Sequence, residues 1–200
     1  MALVARDWPP IHEQTKGTTM LRRVISANDE NGNPVFTEDS MIEARSAEAL
    51  PGVAMHHIWG ADGRVLPRDG SQPSWHSHFP PADGWRFVLL TLQPGQAAAP
   101  IDAPTESQLE ELEEAFPGLL TTVEPGTEGM HTSETVDLVV VVDGPITLEL
   151  SDSQVKDLHT GDVIVQVGNV HRWVNRSSKP CVVAAVVVGT RFETSTAAAS

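Results

Sequence analysis

The sequence predicts an all-β fold, a sandwich or barrel of short antiparallel strands, and three observations carry that expectation. From Leu119 onward β-prone runs follow one another quickly (VDLVVVVDG, ITLELSD, VKDLHTGD, VIVQVG, HRWVNRS and CVVAAVVVG), each closed by Gly, Pro, Asp or Ser. Only one segment, TESQLEELEEAFPG, has helical periodicity, which argues against a parallel sheet of alternating strands and helices. The 200 residues are 40% hydrophobic and 20% charged, a globular composition with enough chain to bury a core.

Taken in order, residues 1–18 hold Pro9-Pro10 and no sustained period, and read as an extended arm. LRRVIS and PVFTED flank a turn cluster around Asn31-Gly32, the signature of a hairpin. VAMHHIWGADG is a strand stopped by Gly60 to Gly63, and residues 64–84, rich in Pro and Gly, read as a loop over the surface. WRFVLLTLQPG is a strand ended by Pro94-Gly95. In the helix, Ser107 and Glu110 form a capping-box pattern, Pro117-Gly118 ends the turn, and Leu109, Leu112 and Phe116 share one face. LLTTVEP reads as the first of the C-terminal strands, and ETSTAAAS as a frayed tail. The expected organisation is one structural domain. Residues 1–118 supply an arm, a hairpin and strands that pack on or complete a barrel formed by residues 119–192, and residues 193–200 are a flexible tail.

Charge and composition exclude several function classes. A formal net charge of −14 repels a phosphate backbone and an anionic membrane surface, so neither nucleic acid nor membrane is an expected partner. Cys181, the one cysteine, sits in an apolar run and reads as a buried inert thiol. The N-terminus lacks the basic start and apolar core of a signal peptide, and no apolar run reaches the ~18 residues of a membrane span. A cytoplasmic protein is expected.

The chemistry-bearing residues concentrate between Thr127 and Asn175. His131 and Asp137 lie six residues apart, a span of ~20 Å on one straight strand, so they meet at one ion only if the chain bends near Ser133-Glu134-Thr135. Gly161-Asp162 and Gly168-Asn169 are turn signals around VIVQV; His171 follows, with Asn175 at an even offset on the same strand face. Adjacent His56 and His57 point to opposite faces of their strand, so one of them can line a pocket. Trp75-His76-Ser77-His78, with Asp83 beyond, imitates half of a metal motif, but Pro80-Pro81 interrupt it; it reads as a solvated loop with incidental histidines. His159 reads as a surface residue.

These residues resemble the two motifs of the cupin superfamily. The first motif has the general form G-x5-H-x-H-x3,4-E-x6-G. Here His131 takes the first His position, Ser133 stands at the second, and Asp137 replaces Glu, followed by six residues and then Gly144. The second, G-x5-P-x-G-x2-H-x3-N, is matched by Gly161, Gly168, His171 and Asn175, one residue shorter and without the Pro. The resemblance covers roughly residues 119 to 190. It implies a double-stranded β-helix, the jelly-roll barrel, carrying an N-terminal β-hairpin extension and one short helix.

It also implies a divalent metal held by His131, Asp137 and His171, with Ser133 and Glu134 as additional candidate ligands and with Asn175, His56 and His57 as candidate pocket residues. Two imidazoles and a carboxylate are the donor set of non-heme Fe(II) sites, so Fe is favoured, with Zn, Mn or Ni compatible. The implied function is a metal-dependent enzyme acting on a small organic molecule in the barrel, an oxygenase first. A lyase, decarboxylase or isomerase is the alternative within the fold, and a non-catalytic small-molecule binding barrel the alternative outside enzymology. A homodimer with exchanged or edge-paired strands is implied by the same resemblance.

Overall fold

A computed structural model describes residues 20–193. The arm expected at residues 1–18 and nearly all of the tail expected from 193 onward lie outside the described residues. Among the described residues ten strands carry the fold: β1 (Met20–Asn28), β2 (Pro34–Glu43), β3 (Val53–Ala61), β4 (Trp85–Leu92), β5 (Thr135–Asp143), β6 (Pro145–Leu150), β7 (Val155–His159), β8 (Val163–Val167), β9 (His171–Val174) and β10 (Cys181–Gly189). One helix, α1 (Glu106–Ala115), stands between β4 and β5. The protein is all-β, as its alternating sequence pattern predicts.

The strands form a five-stranded sheet in the order β3-β4-β10-β5-β8, a three-stranded sheet β7-β6-β9, and the two-stranded hairpin β1-β2. Every pairing is antiparallel. The two larger sheets enclose a core of Leu92, Val139, Val141, Ile146, Trp173 and Val183, among others. Alternation builds this: along β5, Thr135, Asp137, Val139 and Val141 are buried, and every second residue between them turns outward. β3 and β4 extend the larger sheet beyond β10, so the chain ahead of residue 119 contributes two of its five strands.

The hairpin forms where the Asn-Gly turn predicts it. Asp29 Oδ1 accepts the amides of Asn31 and Asn33 at 2.9 and 2.8 Å, and Gly32 takes the positive φ of 82° that the turn requires. Two local expectations are corrected. The helix starts earlier, because Thr105, not Ser107, is the N-cap: its hydroxyl accepts the Gln108 amide while the Gln108 side chain takes the Thr105 amide. LLTTVEP is not a strand. Leu119–Thr122 is a 3-10 turn whose Thr121 and Thr122 hydroxyls each bond back to the carbonyl three residues earlier, at 2.7 Å, and only Val123 makes a bridge, to His131.

Candidate functional site

A cavity of about 100 Å³ lies between the two sheets, walled by Leu50, Val88, Leu90, Phe116, Trp173 and Val183. Five polar side chains also line it: His78, His131, Asp137, Gln166 and His171. The bend required to bring His131 and Asp137 together occurs at Glu134, immediately before β5 begins. His131 precedes the bend and pairs with His171 by two backbone hydrogen bonds of 2.9 and 3.0 Å, which sets the rings with centroids 4.4 Å apart. Asp137 points into the cavity from β5, opposite Gln166 of β8.

The two imidazoles are oriented by the backbone. His171 Nδ1 lies 2.9 Å from the Asn169 carbonyl, and His131 Nδ1 lies 3.4 Å from the Gly129 carbonyl. A carbonyl only accepts, so each Nδ1 carries the hydrogen and each Nε2 keeps its lone pair. Gly129 makes its turn at φ 79°, and a Cβ there would fall 2.0 Å from Ala99 Cβ, so the loop that aims His131 is closed to other residues. Burial, with the His171 ring adding to it, pushes His131 down to about 4, and burial also lowers His171. Both rings are neutral at pH 7, the state in which imidazole binds metal. Burial raises Asp137 above the usual carboxylate range, against the 2.7 Å hydrogen bond that Oδ1 accepts from Thr135.

The remaining candidate residues fall elsewhere. Ser133 Oγ shares a 2.7 Å hydrogen bond with Thr135 Oγ1, so it supports Asp137 through Thr135 and does not line the cavity. Glu134 is exposed on the outside of the bend, turned away from the barrel. Asn175 is fully buried but occupied: Nδ2 donates to the Leu92 and Lys179 carbonyls at 2.9 and 2.7 Å, and Oδ1 accepts from Ser177. It fastens the β9–β10 turn and is no pocket residue. Simple alternation along β3 turns His56 and His57 to opposite faces of the sheet; His56 is buried at 1% exposure, and neither lines the cavity, although His57 stands directly behind His78.

The largest correction concerns Trp75 to His78. His76 is exposed and pairs with Asp62 at 2.9 Å, as an incidental loop histidine would. His78 is buried and enters the cavity. Its Nδ1 lies 3.4 Å from His57 Nε2, and its amide donates to the Pro117 carbonyl at 2.7 Å. The buried guanidinium of Arg86, on β4, anchors the loop. It donates to the Ser77 carbonyl at 2.9 Å, pairs with Asp62 at 2.5 Å and lies 4.7 Å from the centre of the Trp75 ring. A charge inside the apolar run WRFVLLTL was the available signal, because a buried guanidinium must find acceptors. Burial drives both His57 and His78 down to about 3.

Gln166 was also missed. It is 4% exposed, and neither its amide nitrogen nor its oxygen has a hydrogen-bond partner. Its signal was the inverted alternation of VIVQV, which places the one polar residue on the inner face. Cys181 is buried, its thiol pushed up to about 11 by burial, in keeping with an inert core residue. Among the described residues, no group of three or more His, Cys, Asp or Glu side chains is arranged to hold a metal ion. The donor chemistry of His131, His171 and Asp137 nonetheless suits a divalent metal: two neutral imidazoles with free Nε2 lone pairs, and a buried carboxylate whose raised pKa reflects the cost of its charge. No described helix is long and apolar enough to cross a membrane.

Residues 119–188 match the family model for the Cupin domain. Phomopsin biosynthesis cluster proteins C' and D of Diaporthe leptostromiformis are each 48% identical to this chain over 56 residues, 28% of this chain and 30% of theirs. The chain thus spans under a third of the length of these curated relatives. Two solved structures are similar at lower identity. The Cnp3 cupin domain of Schizosaccharomyces pombe has a TM-score of 0.45 at 8% identity, over 84% of this chain and 87% of that one. The polyketide cyclase RemF of Streptomyces resistomycificus has 0.42 at 12%, over 77% and 82%. The motif residues and the family match fall on the same segment, and residues 119–188 are a cupin domain.

Proposed function

We propose that the barrel is the active site of a metal-dependent enzyme acting on a small organic molecule, with His131, His171 and Asp137 holding a divalent ion. One observation carries this reading: both imidazoles of the His131–His171 pair spend Nδ1 on a backbone carbonyl, which is how metal-binding histidines are commonly oriented. Bound there, the metal would supply a Lewis acid with open positions, suited to polarising a carbonyl, activating water or binding dioxygen. Iron with oxygenase chemistry is the first choice for two imidazoles and a carboxylate; Zn, Mn or Ni would direct the site towards lyase, decarboxylase or isomerase chemistry.

The chain's own side chains set the terms for the substrate. The cavity is smaller than a ~150 Å³ site that accepts benzene, so it takes a compact molecule or one end of a larger one. Its walls are mostly apolar. His78, neutral and backed by His57, lies on the cavity where it can exchange a proton with a bound molecule. Gln166 offers an unused donor and acceptor for orienting it.

A second reading, a non-catalytic binding barrel, is favoured by Ser133, which replaces an imidazole of the motif and is bonded to Thr135. Metal content measured by mass spectrometry, on protein purified without an affinity tag, separates the two. Near-stoichiometric metal, lost in Asp137→Ala and in His171→Ala, supports the enzyme; no metal even after reconstitution favours the binding barrel.

A further inference from the structure

We infer that His57 is a positioning residue: it holds His78 as the Nε2–H tautomer, so that His78 donates a hydrogen bond to an oxygen acceptor on the bound molecule. The bound molecule's place in the cavity rests on the function proposed above; the tautomer follows from the surroundings of the two rings alone.

His57 Nε2 and His78 Nδ1 face each other at 3.4 Å. Burial drives both imidazoles down to about 3, so at pH 7 each is neutral and carries a single N–H. For the two facing nitrogens to bond, one holds a hydrogen and the other a lone pair, and that choice fixes both rings at once. If His57 donates from Nε2, its Nδ1 keeps a lone pair and His78 carries its hydrogen on Nε2. If His78 donates from Nδ1, its Nε2 is left as an acceptor and His57 carries its hydrogen on Nδ1.

Two observations select the first arrangement. On the far side of the pair, His57 Nδ1 is buried and has no hydrogen-bond partner among the described residues. The Trp75 ring lies 4.9 Å from the His57 ring, and the guanidinium groups of Arg45 and Arg86 stand over it at 5.5 and 4.7 Å. Both cations act on His57 and oppose added positive charge there. A lone pair on Nδ1 suits that field; a buried N–H without an acceptor does not.

In the cavity the choice is the same. The two nitrogens of an imidazole point to opposite sides of the ring, so His78 Nε2 turns away from His57, and His78 lines the cavity. Edge-to-face contacts with Phe79 and Phe116, at 4.7 and 5.6 Å between centroids, hold the ring in place. The other titratable groups on the lining are acceptors. His131 and His171 present Nε2 lone pairs, and Asp137 presents carboxyl oxygens. A lone pair on His78 would add one more acceptor to that set, whereas an N–H complements it. A neutral imidazole N–H can polarise a carbonyl without bringing a buried charge. The group that meets His78 is therefore an oxygen acceptor, and an ammonium, which has only donors, is refused.

The test is long-range proton–nitrogen correlation NMR near neutral pH on the full chain with nitrogen-labelled histidine, which reads the nitrogen that carries the hydrogen in each neutral ring. His78→Gln assigns the signal. Nε2–H on His78 is the expected result, with Nδ1–H on His171. His57→Gln, whose amide can still donate, should keep His78 in that state. His57→Phe fills similar space without an N–H and should turn His78 into a mixture of both tautomers, with circular dichroism checking that the variants fold. Nδ1–H on His78 in the wild type overturns the inference, and this outcome decides even where a variant fails to fold. So does an unchanged tautomer in folded His57→Phe, because the ring would then owe nothing to His57. Nε2–H on His78, lost in His57→Phe, in a protein that takes up no metal would support the inference while the metal-dependent enzyme falls.

Discussion

At the scale of single residues, the cavity is costly in the absence of a ligand, and Gln166 shows the cost most plainly. An unpaired buried amide loses the hydrogen bonds it made to water in the unfolded chain, and nothing in the folded chain replaces them. Removing it should therefore stabilise the protein. Gln166→Met, close in shape and apolar, is expected to raise the ligand-free unfolding free energy by about 1–2 kcal/mol in urea denaturation. Unchanged metal content would accompany it, because Gln166 is no ligand in the proposed set. A loss of stability would mean that the amide has a partner within the protein. Arg86 is the opposite case: equally buried, but satisfied by carbonyls of Ala61, Trp85 and Ser77 and by Asp62, so it orders a loop.

At the scale of elements, the cavity histidines are aimed by short connections, whereas Asp137 and Gln166 are placed by the alternation of β5 and β8. The turn ending at Gly129 places His131, and the Gly168 turn places His171. Gly129→Ala should destabilise the fold by about 1–3 kcal/mol, through its positive φ and the overlap with Ala99, and should weaken metal uptake by displacing His131. Urea denaturation and metal content read the two effects separately. The strands themselves were legible in the sequence because their period of two and their Gly, Pro and Asp stops are local signals. So was the convergence of His131, Asp137 and His171 on one cavity, given a bend at Glu134. The role of His78 was not legible, since it depends on Arg86, eight residues on and in another element, folding back to capture the Ser77 carbonyl. Asn175 was misplaced for a similar reason: the even offset from His171 holds along a strand, but β9 ends at Val174 and the side chain turns to its own loop.

At the scale of the whole molecule, the four histidines whose pKa burial lowers, His57, His78, His131 and His171, make stability depend on pH. In the unfolded chain each imidazole has its ordinary value near 6.5, whereas burial brings His57 and His78 to about 3 and His131 to about 4. As pH falls through 6.5 the unfolded chain takes up protons that the folded chain does not, so stability falls. The loss is on the order of 1–2 kcal/mol per histidine between pH 7 and pH 5. Asp137 acts in the opposite direction. With its folded pKa raised, the folded chain holds a proton that the unfolded chain has released above 3.8, so Asp137 destabilises as pH rises through that window. In the presence of a chelator the melting temperature should be highest at or above pH 7 and decline steadily towards pH 5. His78→Leu should flatten that decline by up to one proton, ~1.4 kcal/mol per pH unit, between pH 6 and pH 4. A wild-type melting temperature that stays level from pH 7 to pH 5 would mean that these rings are solvated or already charged in the folded chain, and the dry, histidine-lined cavity would have to be abandoned.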